Sequence, residues 1–364
     1  MGTETKKIRV LVVDDSAVMR RLISSLLERD KEIEVVATAI DGDFALSKAD
    51  QLKPDVVTLD VDMPRMDGMT ALSYLVSKHG APVIMLSSLT SRGAELTMQA
   101  LERGAVDFVC KPKVSTQVGE MGEELIGKIK AAARRRPVVM PTLRRFRVDM
   151  KWKAPGARVI RETQKIIAIG ASSGGPHALR YLLPRIPGDI DASIVIVQHL
   201  PETFTAMLAR WLDEICELEV KEAADGDALF PGRALIAPAN WQMKVKRTDG
   251  AAHVVLESSG PVNGHMPSVD VLFKSVAKEY GRAAIAVLMT GMGNDGAAGL
   301  GDVKQSGGHT IAQDKESCSV YGMPRVAVER GFVEKVVSLE EMPSYIVSVA
   351  GQVNEEGQIH ASSW

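Results

Sequence analysis

The segment Ile166-Ile167-Ala168-Ile169-Gly170-Ala171-Ser172-Ser173-Gly174-Gly175 runs from an apolar stretch into a turn of small residues with a serine at its centre. Gly170, Ser172 and Gly174 fit G-x-S-x-G, the strand-to-helix turn that lifts a serine hydroxyl out for nucleophilic attack. Only small residues allow so tight a turn, and N–H groups left free there can face an anion. A serine becomes a nucleophile at neutral pH only with a base, and the base needs an orienting group. Among seven histidines, His199 comes two residues after the end of the apolar run 193–197, and Asp295 lies in Thr290-Gly291-Met292-Gly293-Asn294-Asp295-Gly296, after the apolar run 284–289. If these runs are parallel neighbours, Ser172, His199 and Asp295 meet on one edge of a sheet. His177 is the rival base, but it sits in the first turn of the next helix and is expected to point away. The glycine turn before Asp295 can supply N–H donors to an oxyanion.

A second group is acidic. Asp14 and Asp15 follow the apolar run 8–13, Asp60 ends the run 55–59, and Asp62 comes two residues later. Carboxylates converging at strand ends repel one another and favour a hard divalent cation, most simply Mg²⁺. The same cluster can direct one carboxylate at phosphorus. Ser87 and Lys111, each just after a further apolar run, can reach the same edge.

The elements that must position these groups alternate. Residues 8–133 carry strand patterns at 8–13, 33–37, 55–59, 83–86 and 106–109, with amphipathic helical spacing between them. Residues 134–162 break the pattern: arginines and lysines accumulate from Arg134 to Arg161 around Pro137, Pro141 and Pro155, which reads as a basic linker. From 165 a second alternation begins, with strands expected at 165–169, 193–197, 234–237, 253–256, 284–289, 309–312 and 332–336, and a frayed tail after Gly351. The expected fold is α/β, two doubly wound parallel-sheet domains joined by a linker: residues 1–133, the linker 134–162, residues 163–350 and a tail 351–364. A chain of 364 residues with 45% hydrophobic content is long enough for two cores. A net charge of −2 gives no general attraction to nucleic acid, three scattered cysteines suggest neither a disulfide framework nor a zinc site, and no apolar run nears the ~20 residues of a membrane helix. A soluble, cytoplasmic protein without membrane insertion is expected.

The first region resembles a two-component receiver domain, flavodoxin-like in fold. Val10-Leu11-Val12-Val13-Asp14-Asp15-Ser16, Leu59-Asp60-Val61-Asp62-Met63-Pro64-Arg65-Met66-Asp67-Gly68 and Lys111-Pro112 carry the resemblance. It implies that Asp60 accepts phosphate from a histidine kinase, that Asp15, Asp60 and the Asp62 carbonyl hold Mg²⁺ with Asp14 nearby, and that Ser87, Phe108 and Lys111 form the phosphoryl switch. The second region, expected to be Rossmann-like, resembles the catalytic domain of the chemotaxis receptor methylesterases, the CheB family. It does so through the serine turn, Gln198-His199-Leu200-Pro201, Pro267-Ser268-Val269-Asp270-Val271-Leu272-Phe273, residues 288–296 and Tyr321-Gly322-Met323-Pro324. The chain order Ser172, His199, Asp295 differs from the serine, acid, histidine order of ordinary α/β-hydrolases with this turn. The resemblance implies Ser172 as nucleophile, His199 as base, Asp295 as its orienter, and Met292 and Ser173 beside the oxyanion. It further implies phosphorylation-activated hydrolysis of glutamyl methyl esters on a methyl-accepting chemoreceptor, with glutamine deamidation as a related reaction and no cofactor for the ester step. One departure stands out: the family tends to carry arginines before Pro-Ser-Val-Asp, where this chain has Val262-Asn263-Gly264-His265-Met266.

Two other functions compete. Gly291, Gly293 and Gly296 also spell G-x-G-x-x-G, with Asp314 at the end of the next apolar run, the pattern of an NAD(P)-dependent oxidoreductase. Asp295 inside that loop would set a negative charge close to a pyrophosphate, which argues against it. The arginines of the linker suggest a response regulator with a nucleic-acid-binding output, but residues 165–350 carry no helix-turn-helix pattern.

Overall fold

The computed structural model describes residues 6–112, 114, 118–134, 164–248 and 251–358. The basic segment read as a linker therefore lies outside the described residues, apart from Arg134. Its first part alternates β1 (Ile8–Val13), α1 (Ala17–Leu27), β2 (Ile33–Ala39), α2 (Gly42–Leu52), β3 (Val56–Asp60), α3 (Gly68–Tyr74), β4 (Val83–Ser87), α4 (Ser91–Glu102), β5 (Asp107–Cys110) and α5 (Val118–Arg134). The five strands form one parallel sheet in the order β2-β1-β3-β4-β5. Side-chain oxygens of Ser16, Asp41, Asp67 and Thr90 accept the backbone N–H groups that open α1, α2, α3 and α4. Such caps satisfy donors that the helix itself leaves free.

The second part contains β6 (Ile166–Ala171), α6 (Gly175–Leu182), β7 (Ser193–Gln198), α7 (Phe204–Asp213), β8 (Glu219–Glu222), β9 (Arg233–Ile236), β10 (Gln242–Thr248), β11 (Ala251–Glu257), α8 (Val269–Tyr280), β12 (Ala284–Leu288), α9 (Ala297–Gln305), β13 (His309–Gln313), α10 (Met323–Glu329), β14 (Lys335–Val337) and α11 (Met342–Gln358). Seven parallel strands run in the order β14-β13-β12-β6-β7-β9-β8. Every residue of β6, β7 and β12 is buried, as continuous apolar runs require when helices cover both faces of a sheet. From β6 the chain winds one way to β7 and returns on the other side to β12. The carboxyl ends of these three strands thus meet at a topological switch point, where ligands of open α/β sheets bind.

The structure departs from the sequence reading at its edges. The strand expected at 253–256 is part of β11, which pairs antiparallel with β10 in a separate hairpin. β8 and β10 were not anticipated, because Glu219-Val220-Lys221-Glu222 is an edge strand rich in charge and β10 carries lysines on its outer positions. The last strand begins three residues later than expected, and the chain past Gly351 continues as helix to Gln358. At the other end of the fold, the buried Lys165 ammonium donates to the Ala350 carbonyl and ties α11 to the start of β6.

The two sheets are joined by one apolar cluster that runs from the first to the second. Phe108 on β5 stacks on Phe204 at the start of α7, with ring centroids 4.8 Å apart and planes 6° apart. Trp211 on α7 donates its indole N–H to Glu102 at the end of α4.

Candidate active site and phosphoacceptor site

The turn after β6 is fixed from two sides. The Ser172 N–H donates to the Thr290 carbonyl at 3.0 Å, and the Thr290 hydroxyl donates to the Ser173 carbonyl at 2.9 Å. Gln198, the last residue of β7, donates from Nε2 to the Ser172 carbonyl at 2.8 Å. Gly174 takes φ +76, a left-handed conformation that favours glycine, and a Cβ on Gly291 would stand 2.8 Å from the Ser172 Cβ. Small residues thus let the 290–296 loop close against the serine.

His199 follows β7, its N–H bonded to the Ala171 carbonyl at 3.1 Å. Its Nε2 lies 2.9 Å from Asp295 Oδ2. The aspartate is 1% exposed and accepts four further hydrogen bonds: from the Ser268 hydroxyl at 2.7 Å, Asn263 Nδ2 at 3.0 Å, and the N–H groups of Val269 and Asp270 at 2.7 and 3.3 Å. Burial alone would raise its pKa, but the bonds from His199, Asn263 and Ser268 and the charge on the imidazole hold it well below the ordinary carboxylate range. An ionised Asp295 makes Nε2 the protonated nitrogen of a neutral His199. Nδ1 is buried and has no hydrogen-bond partner among the described residues, so it is open to take a proton.

Met292 and Ser173, expected beside an oxyanion, flank the serine from the loop after β12 and from the turn itself. Neither backbone N–H has an acceptor among the described residues. The Met292 side chain lies against Gly127 of α5, whose missing Cβ admits its sulfur. His177, the rival base, is turned away as expected: its Nε2 contacts the Ala105 carbonyl across the boundary between the two parts, at 2.6 Å.

That boundary holds a charged network which sequence reasoning missed. Asp107, on β5 of the first sheet, accepts the Gly174 N–H through Oδ2 at 3.0 Å. Its Oδ1 lies 3.2 Å from the Lys128 ammonium, which also pairs with Glu124 at 2.7 Å and donates to the Phe108 carbonyl at 2.5 Å. Burial alone would lower the Lys128 pKa, but Asp107 and Glu124 raise it above the ordinary lysine range. A buried ion pair of this kind is stable only when its remaining polar atoms are satisfied, as here. No motif marks it, because an Asp at a strand start and a Lys on a helix are ordinary in sequence.

At the carboxyl edge of the first sheet, ligand oxygens of Asp14, Asp15 and Asp60 lie within 4.8 Å of one another. Lys111 reaches both Asp14 and Asp60 at 2.8 Å. Burial pushes Asp60 up to about 6, against the pull of Lys111 and with a further push from Asp14. The exposed Asp62 lies 3.9 Å from Arg92 and contributes no side-chain ligand to the cluster. The Ser87 hydroxyl is held by α4, donating to the Gly93 carbonyl at 3.1 Å and accepting from Thr97 at 2.7 Å. Phe108 is buried in the stack on Phe204.

The rival loop is occupied otherwise. Asp295 is committed to His199, and Asp314 accepts from the Ser317 N–H at 2.9 Å. An oxidoreductase is not favoured.

An acidic edge of one parallel sheet joined to a serine, histidine and aspartate at the switch point of another defines a response regulator with a hydrolase output. The response regulator receiver family matches residues 10–121 and the CheB methylesterase family residues 167–346. A Koribacter versatilis protein named protein-glutamate methylesterase/protein-glutamine glutaminase 2 is 48% identical, over 94% of this chain and 96% of its own. A Pyrococcus abyssi protein-glutamate methylesterase/protein-glutamine glutaminase is 41% identical, over 97% and 96%. The CheB methylesterase catalytic domain of Thermotoga maritima, a solved structure, is 40% identical and covers 51% of this chain and 98% of its own, with a TM-score of 0.50. The chain belongs to the CheB methylesterase family. Among the described residues no helix is long and apolar enough to cross a membrane.

Proposed function

We propose that the protein is a protein-glutamate methylesterase, with glutamine deamidation as a second activity, acting on a methyl-accepting chemoreceptor and gated by phosphorylation of Asp60. The observation that carries the reading is the His199–Asp295 pair beside Ser172 at the sheet switch point. Full-length relatives with the same name support the substrate class. We take residues 1–133 as receiver, 134–162 as linker and 163–350 as catalytic domain.

In the ester reaction, Ser172 Oγ attacks the side-chain carbonyl carbon of the methylated glutamate while His199 Nδ1 takes its proton. Asp295 stays ionised and stabilises the imidazolium. The N–H groups of Met292 and Ser173 receive the developing oxyanion. Collapse expels methanol, which takes the proton from His199. Water, deprotonated by the same nitrogen, then releases glutamate and restores Ser172. Glutamine follows the same route with ammonia as the leaving group.

The donor set Asp14, Asp15 and Asp60, all hard oxygens beside a lysine, fits Mg²⁺, with the Asp62 carbonyl as a further ligand. Bound there, the ion would neutralise charge on the incoming phosphoryl group. A histidine kinase is the phosphodonor. Phosphorylation draws Ser87 toward Asp60 and shifts Lys111 from its contacts with Asp14 and Asp60 onto the phosphoryl oxygens; Lys111 directly follows β5, which carries Asp107 and Phe108. Movement of β5 loosens the contacts to Gly174 and Phe204 and opens the Ser172 edge to a bulky receptor, as two states a few kcal/mol apart allow.

The test is methanol release from methyl-esterified chemoreceptor membranes by the wild type and Ser172→Ala. Serine-dependent release supports the reading, and release unaffected by Ser172→Ala refutes it.

A further inference from the structure

The segment that lacks the family's arginines does something specific here. Val262 and His265 exchange backbone hydrogen bonds, each 2.9 Å long, around Asn263 at φ +53 and Gly264 at φ +78. Positive φ at both central positions is the geometry that Asn-Gly turns adopt readily. Gln242 pins the turn, donating from Nε2 to the carbonyls of Gly260 and His265 at 2.9 and 3.1 Å and accepting the Ser268 N–H at 2.8 Å. So held, the turn carries Asn263 to Asp295 and lays the His265 ring flat on His199, with centroids 3.8 Å apart and planes 11° apart.

We propose that His265 is a positioning residue for His199: its neutral ring covers one face of the imidazole, keeps Nε2 on Asp295, and lies against the imidazolium formed when Ser172 gives up its proton. This rests on the serine-esterase reading above. A cation over a neutral aromatic face is attracted to it, whereas two stacked cations repel. His265 must therefore stay neutral while His199 is charged. Burial pushes its pKa down to about 4, the His199 charge pushes the same way, and Asp295 opposes both. Among the described residues, the charged groups acting on His265 are His199 and Asp295. Asp295 comes from the loop after β12, and Asp270, from the first turn of α8, shares the Asn263 amide with it. Gly264 and Met266, on either side of His265, add no cation.

The experiment compares the full-length wild type with His265→Ala, His265→Phe and His265→Lys in methanol release from methyl-esterified chemoreceptor membranes, from about pH 5 to about pH 9. His265→Ala should lower kcat about 10-fold with little change in KM, and His265→Phe, which restores a neutral face, should recover most of that loss. His265→Lys should move the acid limb of the profile to lower pH, because a fixed charge disfavours the imidazolium. A wild-type kcat and acid limb in His265→Ala would overturn the proposal. So would a change in KM alone, which would make His265 a substrate contact. Ser172→Ala and His199→Ala run alongside: full activity in these would refute the esterase reading itself, whatever His265 does.

Discussion

Asp107 accepts the Gly174 amide hydrogen at 3.0 Å, two residues beyond Ser172. A carboxylate of the first sheet thus holds the turn that carries Ser172. The same strand carries Phe108 onto Phe204 and leads directly into Lys111, which contacts Asp60 at 2.8 Å. The contact to the Ser172 turn and the contact to Asp60 are separated by a single short strand.

Loosening this contact without touching either site should raise basal activity. Glu102→Ala removes the acceptor of the Trp211 indole, and His177→Ala removes the contact to the Ala105 carbonyl. Each hydrogen bond contributes about 1 kcal/mol, so each variant should release methanol roughly 3- to 10-fold faster than wild type without phosphodonor, and the gap should close when phosphodonor is added. A collapse of activity in His177→Ala would return that residue to the role of base.

Asp295→Asn should keep the fold and lose roughly 10³-fold or more in kcat, because the amide no longer holds His199 in the tautomer with Nδ1 free. Stability offers a second reading. Asp295 is ionised more easily folded than unfolded, so it stabilises the protein above the ordinary carboxylate pKa, and that stabilisation fades as pH falls below about 4. Denaturant titrations should therefore find Asp295→Asn less stable than wild type at neutral pH, with the difference shrinking in acid.

Asp60 has the opposite sign. Its pKa rises to about 6 on folding, so the folded state holds its proton more tightly, and stability is lost as pH climbs from about 4 through 6. Without Mg²⁺, Asp60→Asn should be more stable than wild type at pH 7, by on the order of 3 kcal/mol, and equal to it below about pH 4. Chemical denaturation with a chelator present measures this directly.

Mg²⁺ should reverse part of that penalty by binding the folded state alone. Titration calorimetry should detect Mg²⁺ binding in the wild type and at least about 10-fold weaker binding in Asp15→Asn, since Asp15 is the exposed carboxylate of the three and the least needed for folding.

The chemistry was legible in the sequence where strands end. Continuous apolar runs such as Ile166–Ala171 announce buried parallel strands, and such strands deliver whatever follows them to one edge. Ser172, His199 and Asp295 each follow such a run, as do Asp14 and Lys111. What supports these groups was hidden. Asn263 and His265 come from a tight Asn-Gly turn outside the sheet, and nothing in their letters says that one will grip Asp295 and the other cover His199. The Asp107–Lys128 network was hidden for a related reason: its partners are 21 positions apart on β5 and α5 and meet Gly174 only through tertiary packing. Edge strand β8 was missed because its charges suit solvent on one side.

Methanol release from methyl-esterified chemoreceptor membranes, measured with Mg²⁺ and with or without a small acyl phosphate, tests the central claim most directly when wild type, Asp60→Asn and Ser172→Ala are run together. The account predicts release by the wild type that rises with phosphodonor, basal release by Asp60→Asn that does not rise, and none by Ser172→Ala. Equal stimulation of wild type and Asp60→Asn, or release that persists without Ser172, would contradict it.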